Sequence, residues 1–211
     1  MKTDRFTIAF ATGVTLTKWT SAWQQRHPSI PLGFIPTLPE TQVTVLHRLE
    51  ADVSFVRLPI LQGGLSVIPL YEEAAVVVLP KGHSLAEAGS VTVAELAGED
   101  LRAPSVDAVE LVAVGGGIVI LPQSIARLAP RKDVVVLPVT DAPPTGIAIA
   151  WREDRTTPEV EEFVGIVRGR TANSSRNPQE APEPVVKKLV QQKAKPKAIT
   201  GRTRPRKPRR R

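Results

Sequence analysis

Short apolar runs alternate with helical patterns along most of this chain. The runs at 7–11, 32–35, 53–56, 74–79, 118–121, 134–137 and 147–151 predict strands. Most are apolar throughout and do not alternate, the pattern of strands covered on both faces. Helical spacing predicts helices over 15–26, 39–50, 92–97, 106–114 and 123–128. A last helix is expected over 158–168, where Thr157 suits the N-cap and Pro158 the first turn. There Val160, Phe163, Val164 and Val167 fall on one stripe. Thr92 and Glu95 have the spacing of a capping box, which strengthens that helix start. Strand–helix alternation of this kind predicts an α/β fold with a mainly parallel sheet and helices on its faces.

Composition changes the picture at the C-terminal end. The chain has 211 residues and a formal net charge of +7, but 13 of its 28 Lys and Arg and only 2 of its 21 Asp and Glu lie in 171–211. The body, 1–170, is therefore mildly acidic and the tail strongly basic. The tail has six prolines and no aromatic residue. Such a segment buries too little apolar surface to offset its ordering entropy, and is expected to be disordered. Within it, 185–192 carries Val185, Val186, Leu189 and Val190, the spacing of a short helix formed against a partner.

Several chemistries drop out. With no cysteine there is no disulfide framework, no thiolate nucleophile and no thiolate metal site. His27, His47 and His83 have no metal-ligand spacing, so neither metal nor cofactor is expected. No apolar run approaches the roughly 20 residues of a membrane span, and 6–11 is too short for the apolar core of a signal peptide. The expectation is a soluble, cytoplasmic protein.

Local motifs follow one another in a defined series. The series begins with strand 6–11, Thr12-Gly13-Val14-Thr15 and a helix running into Arg26-His27-Pro28. It continues through Gln42-Val43, Leu46, and Leu49-Glu50-Ala51-Asp52-Val53, then Pro69-Leu70-Tyr71-Glu72-Glu73 and Leu79-Pro80-Lys81-Gly82-His83. Val93-Ala94-Glu95-Leu96-Ala97, the stretch Val112-Ala113-Val114-Gly115-Gly116-Gly117 before an apolar strand and Pro122, and Ala150-Trp151-Arg152 complete it. In this order the motifs resemble the effector-binding (substrate-binding) domain of LysR-type transcriptional regulators. The resemblance implies a two-lobed, hinge-linked fold of the type 2 periplasmic-binding-protein kind, over residues 1–170. It implies a small-molecule site between the lobes, suited to polar or anionic effectors. By position, Thr12, Gly13 and Thr15 would supply the first lobe's loop, and Thr37, Val56 and Arg57 would line the same cleft. Gly116, in its glycine loop, would face them from the second lobe. Pairing with a second copy, or with a full-length LysR-type regulator, is a further implication.

Two departures stand out. The first strand is predicted within six residues of Met1, so the family's N-terminal winged helix-turn-helix is not expected in this sequence. The stretch 101–112 is shorter than the family's, so the second lobe is expected to be truncated.

The remaining residues offer no catalytic constellation, and a non-enzyme is expected. Arg57 reads either as a partner for a ligand carboxylate or as a solvated hinge arginine. The Gly115–Gly117 loop follows a helix and precedes a strand, the reverse of a phosphate loop, so a helix C-terminal turn is the plainer reading. Glu72-Glu73 and Glu161-Glu162 read as solvated charges. In the tail, Arg202, Arg204, Arg206, Lys207, Arg209, Arg210 and Arg211 place seven cations in ten residues. Pro205 and Pro208 hold that stretch extended, so its charges can follow a phosphate backbone without reading sequence. Two functions are compatible with these features. One is a stand-alone regulator accessory held on nucleic acid by its tail; the other is a cytoplasmic solute-binding protein whose tail is an appendage.

Overall fold

The computed structural model describes residues 5–170. The chain begins with the apolar strand β1 (Phe6–Ala11), helix α1 (Thr17–Arg26), the edge strand β2 (Leu32–Thr37), a single helical turn α2 (Thr44–His47) and β3 (Val53–Arg57). β4 (Leu65–Glu73) leads over Ala74 into β5 (Ala75–Pro80) of a second sheet. That sheet is completed by β6 (Leu101–Arg102), β7 (Ile118–Pro122) and β8 (Val134–Pro138), with α3 (Val106–Ala113) and the short α4 (Gln123–Ala126). The chain then returns through β9 (Thr145–Arg152) and closes with α5 (Pro158–Val167). The first sheet runs β2-β1-β3-β9-β4 and the second β6-β7-β5-β8. This is the expected two-lobed α/β architecture, with a small second sheet.

The continuous apolar runs are explained by burial on both faces. Ile8, Val53, Phe55, Ile147 and Ile149 pack on one side of the first sheet, beneath α1 and α5. Phe6 stacks on Trp23 at 4.7 Å, and Phe163 of α5 meets both rings. On the other side Ala9, Val56, Ala148 and Ala150 pack with Val45 and Leu46 of α2. The second sheet repeats the plan: Val77 and Leu79 face one cluster, Val76 and Val78 the other, under α3 and α4. Burying such side chains contributes about 1.5–3 kcal/mol each, and this burial is what makes two separate cores.

The expected mainly parallel sheet is corrected. β1 pairs in parallel with β2 and β3, and β6 with β7, but the other four pairings are antiparallel. The cause is the path of the chain: β9 comes back from the second lobe and inserts between β3 and β4, running against both.

No strand is predicted over β4, because Pro69 interrupts its pattern. Proline is tolerated there because β4 is an edge strand with a register shift between Pro69 and Tyr71. β6, only two residues long, gives no periodic signal.

The expected helix over 39–50 shrinks to α2. Thr41 draws the preceding stretch into a side-chain turn on Leu38, and Leu49 adopts a left-handed conformation (φ 58°) that ends the helix. Over 92–97 only a 3-10 turn (Ala94–Leu96) forms, yet the capping box is present: Thr92 N donates to Glu95 Oε2 at 2.7 Å and Glu95 N to Thr92 Oγ1 at 3.3 Å. The Thr157 cap of α5 forms as read, accepting from Val160 N. Among the described residues no helix is long and apolar enough to cross a membrane. The basic tail and the segment 185–192 lie outside the described residues.

Candidate functional site

The C-terminal ends of β2, β1 and β3 form one edge of the first sheet, because Thr37 lies beside Ala11 and Phe55 beside Phe10. Thr37, Thr12 and Arg57 emerge along this edge. It faces the start of the second lobe: a Cβ placed on Gly13 would sit 2.5 Å from Ser124 Oγ. Gly13 has φ +91°, so both its backbone and its neighbour exclude a side chain. The first lobe's loop and α4 therefore meet in direct contact.

Arg57 is the centre of this meeting. One terminal nitrogen donates to Glu73 Oε2 at 2.5 Å. The other donates to the Thr12 carbonyl at 3.0 Å and lies 3.4 Å from Ser124 Oγ. The Ser124 hydroxyl in turn donates to Glu73 Oε2 at 2.8 Å. The Arg57 and Glu73 side chains are 12% and 8% exposed, so this pair is largely out of water. Gln42, itself buried, fixes where Arg57 starts: its amide accepts from Arg57 N at 2.8 Å and donates to Arg57 O at 2.9 Å. One network thus joins the first sheet, the end of β4 and the second lobe.

The expectation that Glu72 and Glu73 are both solvated is corrected for Glu73. Neighbouring residues of a strand point to opposite faces, so Glu72 stays exposed while Glu73 turns in toward Arg57. Arg57 is no solvated hinge residue, because Glu73 has drawn it out of solvent. Tyr71, also on β4, has its phenol pushed up by partial burial and by the Glu73 carboxylate, against an opposing pull from Arg57. It stays a neutral hydroxyl at ordinary pH.

Thr37 ends β2 with 4% exposure, and its hydroxyl has no hydrogen-bond partner within the protein. A buried hydroxyl left in this state costs on the order of 1–3 kcal/mol, so it is a polar group that a bound molecule can satisfy. Thr12 and Gly13 lie on the same edge, half-buried, and Thr15 is exposed. Two residues of the expected set fall elsewhere. The Val56 side chain is fully buried in the core on one face of the first sheet and cannot line a cleft. Gly116 sits before β7, at the opposite end of that strand from Ser124, about 16 Å away by the rise of five strand residues. Its N–H closes the end of α3 on the Leu111 carbonyl at 2.8 Å, and its own carbonyl accepts from Arg102 Nε at 2.6 Å. That is a helix C-terminal turn built on two left-handed glycines, Gly115 and Gly117.

Gln42, Glu73 and Ser124 were not singled out from sequence as site residues. Gln42 and Glu73 stand within the motif series, but nothing in their spacing says that either turns inward. Ser124 follows an apolar strand and Pro122, a strand-to-helix junction at which a short polar residue gives only a weak signal. The histidines have local roles. His27 packs on Trp23 at 4.5 Å, and His83 Nδ1 accepts from Leu85 N at 3.2 Å. No group of three or more His, Cys, Asp or Glu that could hold a metal ion occurs among the described residues. An open groove of about 810 Å³ lies between Lys81, Glu110 and Arg131 on the second lobe, and Arg131 is ion-paired to Asp133 and Glu110 there.

Two α/β lobes joined by two crossings, with hydroxyls and a buried ion pair where they meet, define the two-lobed, hinge-linked class of effector-binding domain. The chain belongs to the LysR substrate binding domain family, whose sequence model matches residues 3–108 and 101–172. The two matched stretches overlap at 101–108.

The Hca operon transcriptional activator HcaR of Escherichia coli strain K12 is 24% identical over 180 residues, covering 70% of this chain and 60% of that protein. A probable hydrogen peroxide-inducible genes activator of Mycobacterium leprae is 28% identical over 159 residues, covering 60% of this chain and 51% of that one. The matches thus span about half to three-fifths of those regulators.

Among solved structures, the effector binding domain of a BenM variant superposes with a TM-score of 0.69 at 19% identity, covering 79% of this chain and 94% of that one. The BenM effector binding domain with its effector benzoate gives 0.66 at 19%, over 85% and 98%. Reduced OxyR gives 0.66 at 21%, over 79% and 95%. At these identities the likeness is one of fold.

Proposed function

We propose that this chain is an effector-binding domain acting in transcription regulation, with its ligand held at the sheet edge formed by Thr12, Gly13, Thr15 and Thr37, beside Arg57. The observation that supports the reading is the Thr37 hydroxyl, buried and without a protein partner, beside Ala11 on the sheet edge whose Gly13 loop touches Ser124 of the second lobe. A molecule that bonds this hydroxyl while touching the Ser124 side would favour one spacing of the lobes, which is how binding becomes a signal. The chain works as a pair, with a second copy or with a full-length LysR-type regulator, in the cytoplasm. Its tail cations hold it on nucleic acid through phosphate contacts alone.

The ligand reading is tested by thermal-shift screening of the full chain against small metabolites, followed by Thr37→Val with each compound found. A ligand that raises the melting temperature and loses about tenfold in affinity in Thr37→Val, one hydrogen bond's worth, supports it. No stabilising compound, or one indifferent to Thr37→Val, would overturn it. The tail is tested by fluorescence anisotropy on labelled duplex DNA, comparing the full chain with a form in which the seven cations of 202–211 are glutamine. Neutralising about seven phosphates predicts a log–log salt slope near −6 in the native chain. A slope near zero would leave a solute-binding protein with no nucleic-acid role. Sedimentation velocity of the full chain, alone and with a LysR-type regulator, tests the pairing; a monomer in both would remove it.

A further inference from the structure

We infer that Glu73 is a built-in carboxylate occupying the anion seat on Arg57, and that the cleft therefore takes a ligand without net negative charge. The inference rests on the reading of the cleft as a ligand seat and narrows what that ligand is.

A ligand carboxylate held well by arginine takes two parallel N–H donors. Here one terminal nitrogen of Arg57 is engaged by Glu73 and the other by the Thr12 carbonyl. An arriving anion has two ways in. It can displace Glu73, leaving that carboxylate 8% exposed and held only by the Ser124 hydroxyl. Or it can join the pair, placing two negative charges against one positive charge away from water. Both routes put an uncompensated charge in a dry site, which is strongly unfavourable. The sheet edge beside the pair offers the opposite chemistry. The Thr37 hydroxyl has no partner within the protein, and Thr12 beside it is half-buried. These are donors and acceptors for hydroxyl, carbonyl or amide groups. Because Glu73 is also the last residue of β4 and bonds Ser124, the same carboxylate ties the first lobe to the second. It selects against anions and holds the lobes together at once.

The test uses the full chain as wild type, Glu73→Gln, and Arg57→Gln/Glu73→Gln. Each is titrated with sodium benzoate, sodium acetate and sodium sulfate against sodium chloride at equal ionic strength, reading the melting temperature and, by calorimetry, affinity. The expected result is that wild type shows no stabilisation beyond chloride. Glu73→Gln, with Arg57 uncovered, binds at least one of these anions about tenfold or more tightly than wild type does, as an added charge-assisted contact implies. The double variant loses that gain. If Glu73→Gln is partly unfolded in chloride, the same titration reads as anion-dependent recovery of its native circular dichroism, which the double variant lacks.

Wild type binding any of the three anions as tightly as Glu73→Gln does would overturn the inference. So would Glu73→Gln gaining nothing from all three, or the double variant keeping the gain. Failure of the metabolite screen with a retained gain in Glu73→Gln would remove the ligand reading and leave the anion seat standing. A screen hit that is anionic, binds wild type and depends on Thr37 would do the reverse.

Discussion

Gln42 pairs with Arg57 as a strand would, its side-chain amide accepting from the Arg57 N–H at 2.8 Å and donating to the Arg57 carbonyl at 2.9 Å. β3 loses its neighbour β1 beyond Phe55 while keeping β9, and the buried amide supplies the two bonds that the missing backbone would have made. The orientation of the guanidinium therefore depends on a residue fifteen positions earlier. Gln42 is held in turn by its own carbonyl, which accepts from Ser54 Oγ at 2.8 Å.

Gln42→Ala is expected to destabilise the chain by about 2–4 kcal/mol, because it strands two backbone groups of Arg57 at roughly 1–3 kcal/mol each. Gln42→Glu keeps the acceptor but sets a buried carboxylate against the Arg57 carbonyl oxygen, and should cost at least as much. Urea unfolding of the two variants measures the difference. Equal and small losses would show that water or a shifted strand replaces the amide.

Gly13 and Ser124 make the second checkable contact. Gly13→Ala meets a left-handed backbone and a hydroxyl 2.5 Å away, and is expected to cost about 2 kcal/mol or more. Ser124→Ala should recover little of it, because the Ser124 Cβ is itself only 3.0 Å from the new methyl. Ser124→Gly should recover more. A double-mutant cycle on thermal stability reads the coupling, and additive losses would mean that the two lobes do not bear on each other here.

Much of this architecture is legible in the sequence, and the failures share a cause. Strands buried on both faces, such as β3 and β5, announce themselves as apolar runs, and the Thr157–Pro158 helix start is local chemistry. β4 hides because an edge strand tolerates Pro69, which a central strand would not. The 39–50 region reads as a helix because its apolar spacing is helical, while Thr41 and Leu49 set its real limits through a side-chain turn and a left-handed residue.

The site divides in the same way. Thr12, Gly13, Thr37 and Arg57 are the positions the resemblance implies, and they lie along one sheet edge. The resemblance places Val56 in the cleft with Arg57, but alternation along the strand turns its side chain into the core. Glu73 was missed because its partner lies sixteen residues earlier on another strand, and only the register of the sheet brings them together.

The capping box predicts a pH dependence. Hydrogen bonds from the Thr92 hydroxyl and N–H hold the Glu95 carboxyl below its ordinary value. A carboxyl depressed in the folded state adds stability that is present above its unfolded value and lost as pH falls through the folded one. Wild type should therefore be more stable than Glu95→Gln at neutral pH, with the gap closing as the solution is acidified below the carboxylate range. Thermal melts of both proteins across that range decide it. A gap that stays constant with pH would mean that the carboxylate charge contributes nothing to the cap.

Tyr71 gives an optical readout of the buried pair, because it is the only tyrosine in the chain. Burial and the Glu73 carboxylate push its phenol up, while Arg57 pulls it down. Ultraviolet titration of the folded chain should place its ionisation above that of the same chain in denaturant. A group raised on folding adds stability that is present below its unfolded value and is lost as pH climbs through the folded one, so alkaline unfolding should begin near this transition. Glu73→Gln removes a raising charge and leaves the lowering one, so the midpoint should fall toward the unfolded value. Arg57→Gln should move it the other way. Opposite shifts in the two variants would show both charges acting on one phenol across β4. Midpoints unchanged in both would place Tyr71 outside the field of the pair.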